Sequence, residues 1–195
     1  MTAPKLSVIV PAFNHEAYIV DALHSVLAQT LGDLELIVID DASRDGTWDA
    51  IQSIRDPRLR ALRHDDNRGA HATLNEGLGL ARGDILAILN SDDAFHPERL
   101  ERMVNALGNT PRLAFSDVAF IDSHGQPAPD HERARDYAAA CALCAAQPPA
   151  SWLLTANLAI TTSNFVFPRA LLRQVGDFSD LRYTHDWEWA LRASA

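Results

Sequence analysis

Three polar clusters follow three short apolar runs in this chain. Pro11-Ala12-Phe13-Asn14 follows Leu6–Val10, Asp40-Asp41 follows Leu34–Ile39, and Asn90-Ser91-Asp92-Asp93 follows Ile85–Leu89. Hard divalent cations take carboxylate oxygens, and Mg²⁺ or Mn²⁺ commonly fills its remaining positions with water and substrate phosphate. An aspartate of the Asp92-Asp93 pair could therefore bridge the protein to a diphosphate through one ion, and that ion would stabilise a departing diphosphate as a Lewis acid. Carboxylates at strand ends also serve as plain helix caps, so the pair alone does not decide. The first turn lacks G-x-G-x-x-G, which disfavours a nicotinamide or flavin dehydrogenase, and no G-x-x-x-x-G-K-[ST] marks a P-loop.

These clusters need a scaffold. Apolar runs alternate with helical periodicity over roughly the first 110 residues: helices over Ala17–Leu27, from Ser43-Asp45-Thr47 through Ile54, over Ala70–Ala81, and from Pro97 towards Leu107, with a weak strand at Leu59–Leu62. Alternation of this kind predicts an α/β domain with a mostly parallel central sheet flanked by helices. In open α/β sheets ligands bind outside the carboxyl ends of the strands, where the three clusters fall. Further on, the reading is a strand over Leu113–Ile121, a turn at Asp122-Ser123-His124-Gly125, and an irregular insertion over Gln126–Pro149. A strand over Thr162–Phe167, a helix over Arg169–Val175 and a last helix over Trp187–Arg192, preceded by His185-Asp186, complete it.

The 195 residues fit one domain, 1–195, and the end within or just after a helix suggests an excerpt of a longer protein. A formal charge of -9 disfavours nucleic-acid binding, which rests on Lys and Arg neutralising phosphates. Cys141 and Cys144 cannot complete a Cys₄ zinc site and read as free thiols on one helical face, so a reducing cytoplasm is the expected compartment. The N-terminus runs straight into a strand without a secretory pattern, and no run approaches the ~20 apolar residues of a membrane span.

In order along the chain stand Ser7–Asn14, Ser25–Thr30, Leu36–Ser43 with Asp45-Gly46-Thr47, Asn67-Arg68-Gly69, Ala81–Asp84 and Ser91-Asp92-Asp93. Taken together, these motifs resemble family 2 glycosyltransferases of the GT-A fold. The resemblance covers nearly the full chain. It implies that Asp41 accepts a hydrogen bond from the imide N–H of uracil and that Pro11 and Phe13 line the base. Arg68 would lie near the base or phosphates, Asp92 near the ribose and donor sugar, and Asp93 would be the principal metal ligand. Phe13 as ordinary core is the competing reading.

The family's later landmark, an acidic residue at a helix start, matches Tyr183-Thr184-His185-Asp186-Trp187-Glu188-Trp189. Asp186 would be the general base that deprotonates the acceptor hydroxyl. An N-cap role for Asp186 is the alternative, with Glu188 as a weaker base candidate and His185 as a hydrogen-bonding neighbour or metal ligand. Trp187 and Trp189 either stack on a pyranose or pack in the core. The implied activity is inverting transfer from a nucleotide-diphosphate sugar, UDP-linked, with Mn²⁺ or Mg²⁺, to a saccharide or lipid-linked acceptor. The implied setting is surface polysaccharide or lipopolysaccharide assembly in the cytoplasm, with peripheral membrane association. A non-catalytic sugar-nucleotide-binding module is one rival. A Mg²⁺-binding receiver-type signalling domain is another, without support from the chain beyond Leu113.

Overall fold

Apolar, largely β-branched runs make the sheet, and helices cover both its faces. The computed structural model describes residues 3–108, 110–148, 151–181 and 183–194. Strands β1 (Leu6–Ala12) and β2 (Leu34–Asp40) are buried almost throughout, as expected of parallel strands covered on both sides. With β3 (Leu59–Arg63), β4 (Ile85–Ile88) and β5 (Val166–Pro168) they form one sheet in the order β3-β2-β1-β4-β5. All neighbours are parallel except β5, which runs antiparallel to β4.

Strand alternation sends successive side chains to opposite faces. Val8, Val10, Leu36 and Val38 pack on one face with α1 (Ile19–Leu27), α2 (Thr47–Ser53) and α4 (Arg99–Leu107). Ile9, Ile37 and Ile39 pack on the other with α3 (Ala70–Leu80) and with Phe165, Phe167 and Trp189. The remaining helices are α5 (Glu132–Ala145), α6 (Trp152–Thr155), α7 (Arg169–Val175) and α8 (His185–Ser194).

The register is staggered. β1 pairs with β2 as far as Ala12↔Asp40, whereas its pairing with β4 stops at Ile9↔Ile88. Leu89 N–H still donates to Ile9 O at 3.0 Å, and Asp41 N–H to Ala12 O at 2.8 Å. By alternation, the backbone of Pro11 faces the β4 side, where the ladder has ended. A proline is therefore tolerated in a central strand, because the N–H it lacks has no partner to serve.

At the opposite, amino-terminal edge a polar knot locks the register. Ser7 Oγ donates to Glu35 Oε1 at 2.6 Å and accepts from Gly83 N–H at 2.8 Å. Arg82 gives Glu35 its backbone N–H at 2.7 Å and its guanidinium at 2.7 Å. Burial alone would raise the Glu35 carboxyl, but the Ser7 and Arg82 contacts outweigh it and hold the group below its ordinary range. The Ala81–Asp84 motif thus ties β4 to β1 and β2.

Several expectations need correction. Residues 113–121 form no strand; only Ala114 and Ile121 make isolated bridges. There the side-chain amide of Asn164 takes the ladder's place, accepting from Ser116 N–H at 3.0 Å and donating to Ser116 O at 2.7 Å. The segment read as irregular contains the 14-residue helix α5, started by His131, whose side chain accepts from Arg133 N–H. Alanine-rich sequence favours helix even where few residues are buried. Cys141 and Cys144 are free on it, Cys144 buried; Pro149, at the end of the expected insertion, lies outside the described residues. The Thr162–Phe167 strand is a 3-10 turn over Thr162–Asn164 followed by the shorter β5. Pro97 precedes α4 rather than opening it, and Asp186 lies inside the first turn of α8 rather than ahead of it.

An added Cβ at Gly83 would sit 2.7 Å from the backbone of Leu6 and Ser7. Backbone cannot yield as a side-chain tip can, and overpacking commonly costs about 1–3 kcal/mol. Gly83→Ala should lower stability by that order in denaturant unfolding; parent-like stability would show that the knot does not constrain the sheet.

Candidate active site

The chain winds β1-β2-β3 outward and then returns to β4 on the other side of β1. The strand order therefore reverses between β1 and β4, the place where open α/β sheets hold ligands. His15 Nδ1 and Ser91 Oγ meet across it at 2.7 Å. The loop after β1 is stitched to the loop after β2: Asn14 N–H donates to Ser43 Oγ at 2.9 Å, Arg44 N–H to Asn14 Oδ1 at 2.8 Å, and His15 N–H to Thr47 Oγ1 at 2.8 Å. Asn14 (φ 54°) and Ala42 (φ 61°) are held in left-handed backbone, a cost concentrated at functional loops. Phe13 is 42% exposed, so it is not core, and Pro11 is half-buried beside it.

Asp41 is buried and heavily bonded. Its Oδ1 accepts from Arg68 N–H at 2.8 Å and lies 2.7 Å from His64 Nδ1, while Oδ2 accepts from Gly69 N–H at 2.9 Å. Burial pushes the carboxyl up, but the Arg68 and Gly69 amides and His64 together hold it below its ordinary range. Gly69 donates from left-handed backbone (φ 86°), which favours glycine. Behind this, His64 Nε2 lies 3.0 Å from Glu76 Oε2, which also pairs with the Arg68 guanidinium at 3.0 Å. Arg68 thus contributes its backbone to Asp41 and turns its side chain to Glu76.

At the end of β4, Asp93 is half-buried and Asp92 exposed. Ser163 Oγ donates to Asp93 Oδ2 at 2.5 Å and accepts from Asn90 N–H at 2.8 Å; Thr162 Oγ1 donates to Asn90 Oδ1 at 2.9 Å. The 3-10 turn therefore clasps the acidic loop. Burial, reinforced by the charge of Asp92, pushes the Asp93 carboxyl above its usual range despite the Ser163 bond. Among the described residues, no three His, Cys, Asp or Glu side chains gather closely enough to hold a metal ion by themselves.

Asp186 is half-buried, and its Oδ2 accepts from Asn157 Nδ2 at 3.1 Å. Asn157 Nδ2 also donates to Ile160 O at 3.3 Å, three residues before the Ser163 that bonds Asp93. Glu188 is committed elsewhere: a bidentate pair with Arg192, at 2.5 and 2.9 Å, holds its carboxyl below the ordinary range. His185 Nδ1 lies 3.1 Å from Leu181 O. Trp189 is core, stacked on Phe178 at 4.9 Å with its indole N–H on Gly176 O. Trp187 is half-buried and donates to Leu153 O at 2.7 Å.

Phe13, Asp41, Asp92 and Asp93 thus follow three neighbouring strands at one sheet edge, whereas Asp186 lies on α8 and is bonded to Asn157. Sequence reasoning passed over His15, His64, Glu76, Asn157 and Ser163. His64 follows β3 at the same edge, so the strand-end rule could have found it. Ser163 and Asn157 carried no such signal, since their partners are 70 and 29 residues away.

The parallel sheet, its antiparallel edge strand and the acidic loop at the switch point define a GT-A fold. Consistent with it, the structure of S. aureus TarS 1-349 in complex with UDP-GlcNAc superimposes with a TM-score of 0.69 at 22% identity, covering 97% of this chain and 53% of that one. The mannosyltransferase PcManGT from Pyrobaculum calidifontis, in complex with GDP-Man and Mn2+, gives 0.67 at 22% identity, covering 99% and 54%. Residues 7–174 match Glycosyl transferase family 2, and the chain belongs to that family. It is 43% identical over 122 residues to the succinoglycan biosynthesis protein ExoO of Rhizobium meliloti (strain 1021), covering 61% of this chain and 35% of that protein. It is 34% identical over 127 residues to the putative teichuronic acid biosynthesis glycosyltransferase TuaG of Bacillus subtilis (strain 168), covering 64% and 50%. The chain thus spans between a third and a half of the length of these two relatives.

A raised carboxyl pKa has a stability consequence. The folded state holds the Asp93 proton more tightly than the unfolded chain does, so ionisation costs stability, fully so above the folded-state pKa. Asp93→Asn should therefore raise the melting temperature in chelator at pH 7, and the gain should shrink as pH falls towards ~4. A lower melting temperature for the variant at pH 7 would contradict this account.

Proposed function

We propose that this chain is the donor-binding catalytic core of a metal-dependent, inverting glycosyltransferase that uses a UDP-sugar and a saccharide or lipid-linked acceptor hydroxyl. The observation that carries the reading is the convergence of Phe13, Asp41 and the Asp92-Asp93 loop at the switch point of the sheet. ExoO and TuaG, by their names, belong to succinoglycan and teichuronic acid biosynthesis, which supports a role in surface polysaccharide assembly. No helix among the described residues is long and apolar enough to cross a membrane; the proposed place of action is the cytoplasmic face, with peripheral association.

Each residue has a part. Exposed Phe13 offers a ring face for the base, with Pro11 at its flank, and Asp41 accepts the imide N–H. Arg68 shapes the Asp41 loop through its backbone and leaves a half-exposed guanidinium near it. Asp92 faces the ribose and donor sugar. Asp93, with Asp92 beside it, is the metal position. The fit is electrostatic: burial, with the charge of Asp92 beside it, keeps the Asp93 carboxyl high, and a cation would offset that cost. With so few protein ligands, the rest of the ion's shell would come from water and the diphosphate. When bound, Mn²⁺ or Mg²⁺ would neutralise charge on the leaving diphosphate.

Asp186 acts as general base. The acceptor oxygen attacks the anomeric carbon, the bond from that carbon to the diphosphate oxygen breaks, and the acceptor proton passes to Asp186. Attack from the face opposite the leaving group inverts the centre. Asn157 holds one carboxylate oxygen and leaves the other for that proton.

Two experiments test the reading. UDP should raise the melting temperature substantially only with Mn²⁺ or Mg²⁺, by mass action on the folded state, and Asp93→Asn should remove that synergy. Full-strength UDP binding in excess chelator would refute the metal bridge. In a full-length protein with a working acceptor, Asp186→Asn should lower transfer by about 10²–10⁴-fold while UDP affinity holds. Near-parent turnover with the fold intact would leave Asp186 only its structural bond to Asn157 and remove it from the mechanism.

A further inference from the structure

Asp41 has two oxygens and, as an ionised carboxylate, about four sites for donors. Oδ1 already meets two protein groups, Arg68 N–H at 2.8 Å and His64 Nδ1 at 2.7 Å. Oδ2 meets one, Gly69 N–H at 2.9 Å. One acceptor site therefore remains, on Oδ2. The arrangement is stiff. His64 is buried, its Nε2 is held by Glu76 Oε2 at 3.0 Å, and the Arg68 guanidinium holds Glu76 in turn at 3.0 Å. The ring cannot turn away from Asp41 without breaking a contact at its far end. Asn67 adds a bond from its side-chain amide to Asp41 O at 3.1 Å, so the backbone beneath the carboxylate is pinned too.

Bases differ in what they ask of such a carboxylate. Uracil presents one donor on its pairing edge, the imide N–H, flanked by carbonyl acceptors. Guanine presents two adjacent donors, N1–H and the exocyclic amine, which match both oxygens of a carboxylate at once. Cytosine presents a bare ring nitrogen at the imide position, and its lone pair would face the carboxylate charge. A carboxylate with one open site on one oxygen suits the first edge, denies the second its bidentate pair and repels the third.

We infer that His64 is a specificity-determining positioning residue: by occupying Oδ1 of Asp41 it reserves a single acceptor for a uracil-type imide and sets the chain against guanine. This rests on the proposed reading of Asp41 as the base acceptor. Glu76 supports the same choice one contact further out. Neither residue touches the reacting atoms, so the effect belongs to donor choice and not to the chemical step.

The test is a set of UDP and GDP affinities, measured with Mn²⁺ by calorimetry, for the parent and for His64→Leu, His64→Asn, Glu76→Gln and Asp41→Ala. The parent should favour UDP by about tenfold or more, one hydrogen bond's worth of discrimination. His64→Leu opens Oδ1 and should narrow the UDP-to-GDP ratio by about tenfold. His64→Asn returns an N–H donor at the position of Nδ1 and should restore most of the preference, which a merely structural role for His64 would not produce. If His64→Leu fails to fold, Glu76→Gln, on a half-exposed side chain, decides: it should narrow the ratio severalfold. A parent without UDP preference, or an unchanged ratio in the folded His64→Leu or, failing that, Glu76→Gln protein, overturns the inference. Should Asp41→Ala weaken UDP while the His64 variants keep the parent ratio, only the role of His64 falls. Should Asp41→Ala bind UDP as the parent does, the reading of Asp41 falls and this inference with it.

Discussion

The stagger between the two neighbours of β1 is the constraint on which the site depends. β2 runs alongside β1 to Ala12, whereas β4 leaves it after Ile9. Had β4 continued, its backbone would have filled the space beside Pro11 and carried Asp92 and Asp93 past the edge of the sheet. Because it stops, the chain turns at Asn90 and presents the acidic pair beside the end of β1. Pro11 suits this arrangement, since it offers no N–H to a ladder that is no longer there. The stagger is set at the other edge by the Ser7–Glu35–Arg82–Gly83 knot, where a buried carboxylate with satisfied oxygens fixes how β1, β2 and β4 slide against one another.

Two polar supports then act on the two acidic positions in opposite senses. Around Asp41 the Arg68 and Gly69 amides and the His64 ring all meet the carboxylate, so it is held below its ordinary pKa range and pointed. Around Asp93 burial and a second carboxylate work against the charge, and the serine of the 3-10 turn offsets only part of that cost. One is held as a fixed hydrogen-bond acceptor; the other carries its charge at a cost. That contrast arises within one sheet edge and between residues of the same type, and it comes from what each carboxylate faces.

The region after Leu107 serves the site less by adding strands than by bracing loops. Thr162 and Ser163 clasp the Asn90–Asp93 loop, and Asn164 replaces a strand ladder for Ser116 while accepting from Arg99 at 2.8 Å. Arg99 is half-buried over the Phe95 ring, 4.5 Å from its centroid, and desolvation lowers its pKa to about 10. On the far side, the aromatic cluster of Phe165, Phe167, Phe178 and Trp189 seats α8, and with it Asp186, against the sheet.

The α/β alternation, four of the five strands and the helices beside them were legible because period-2 and period-3.6 patterns are local: each residue's role follows from neighbours a few positions away. The placement of Asp41, Asp92 and Asp93 at strand ends was legible for the same reason, and the order of motifs carried the family. Residues 113–121 and 126–149 were not, since an apolar run can bridge at one residue instead of forming a strand, and an alanine-rich stretch carries little amphipathic signal. What a polar side chain does was least legible of all. Nothing near His64 or Ser163 in the chain announces a carboxylate 23 or 70 residues away, and nothing local separates Trp189 in the core from Trp187 on its rim. By itself, then, the sequence determined which elements form and which acidic groups end them. Only the tertiary structure decided how many donors each carboxylate meets, because that count depends on the register between strands and on side chains brought together from distant parts of the chain.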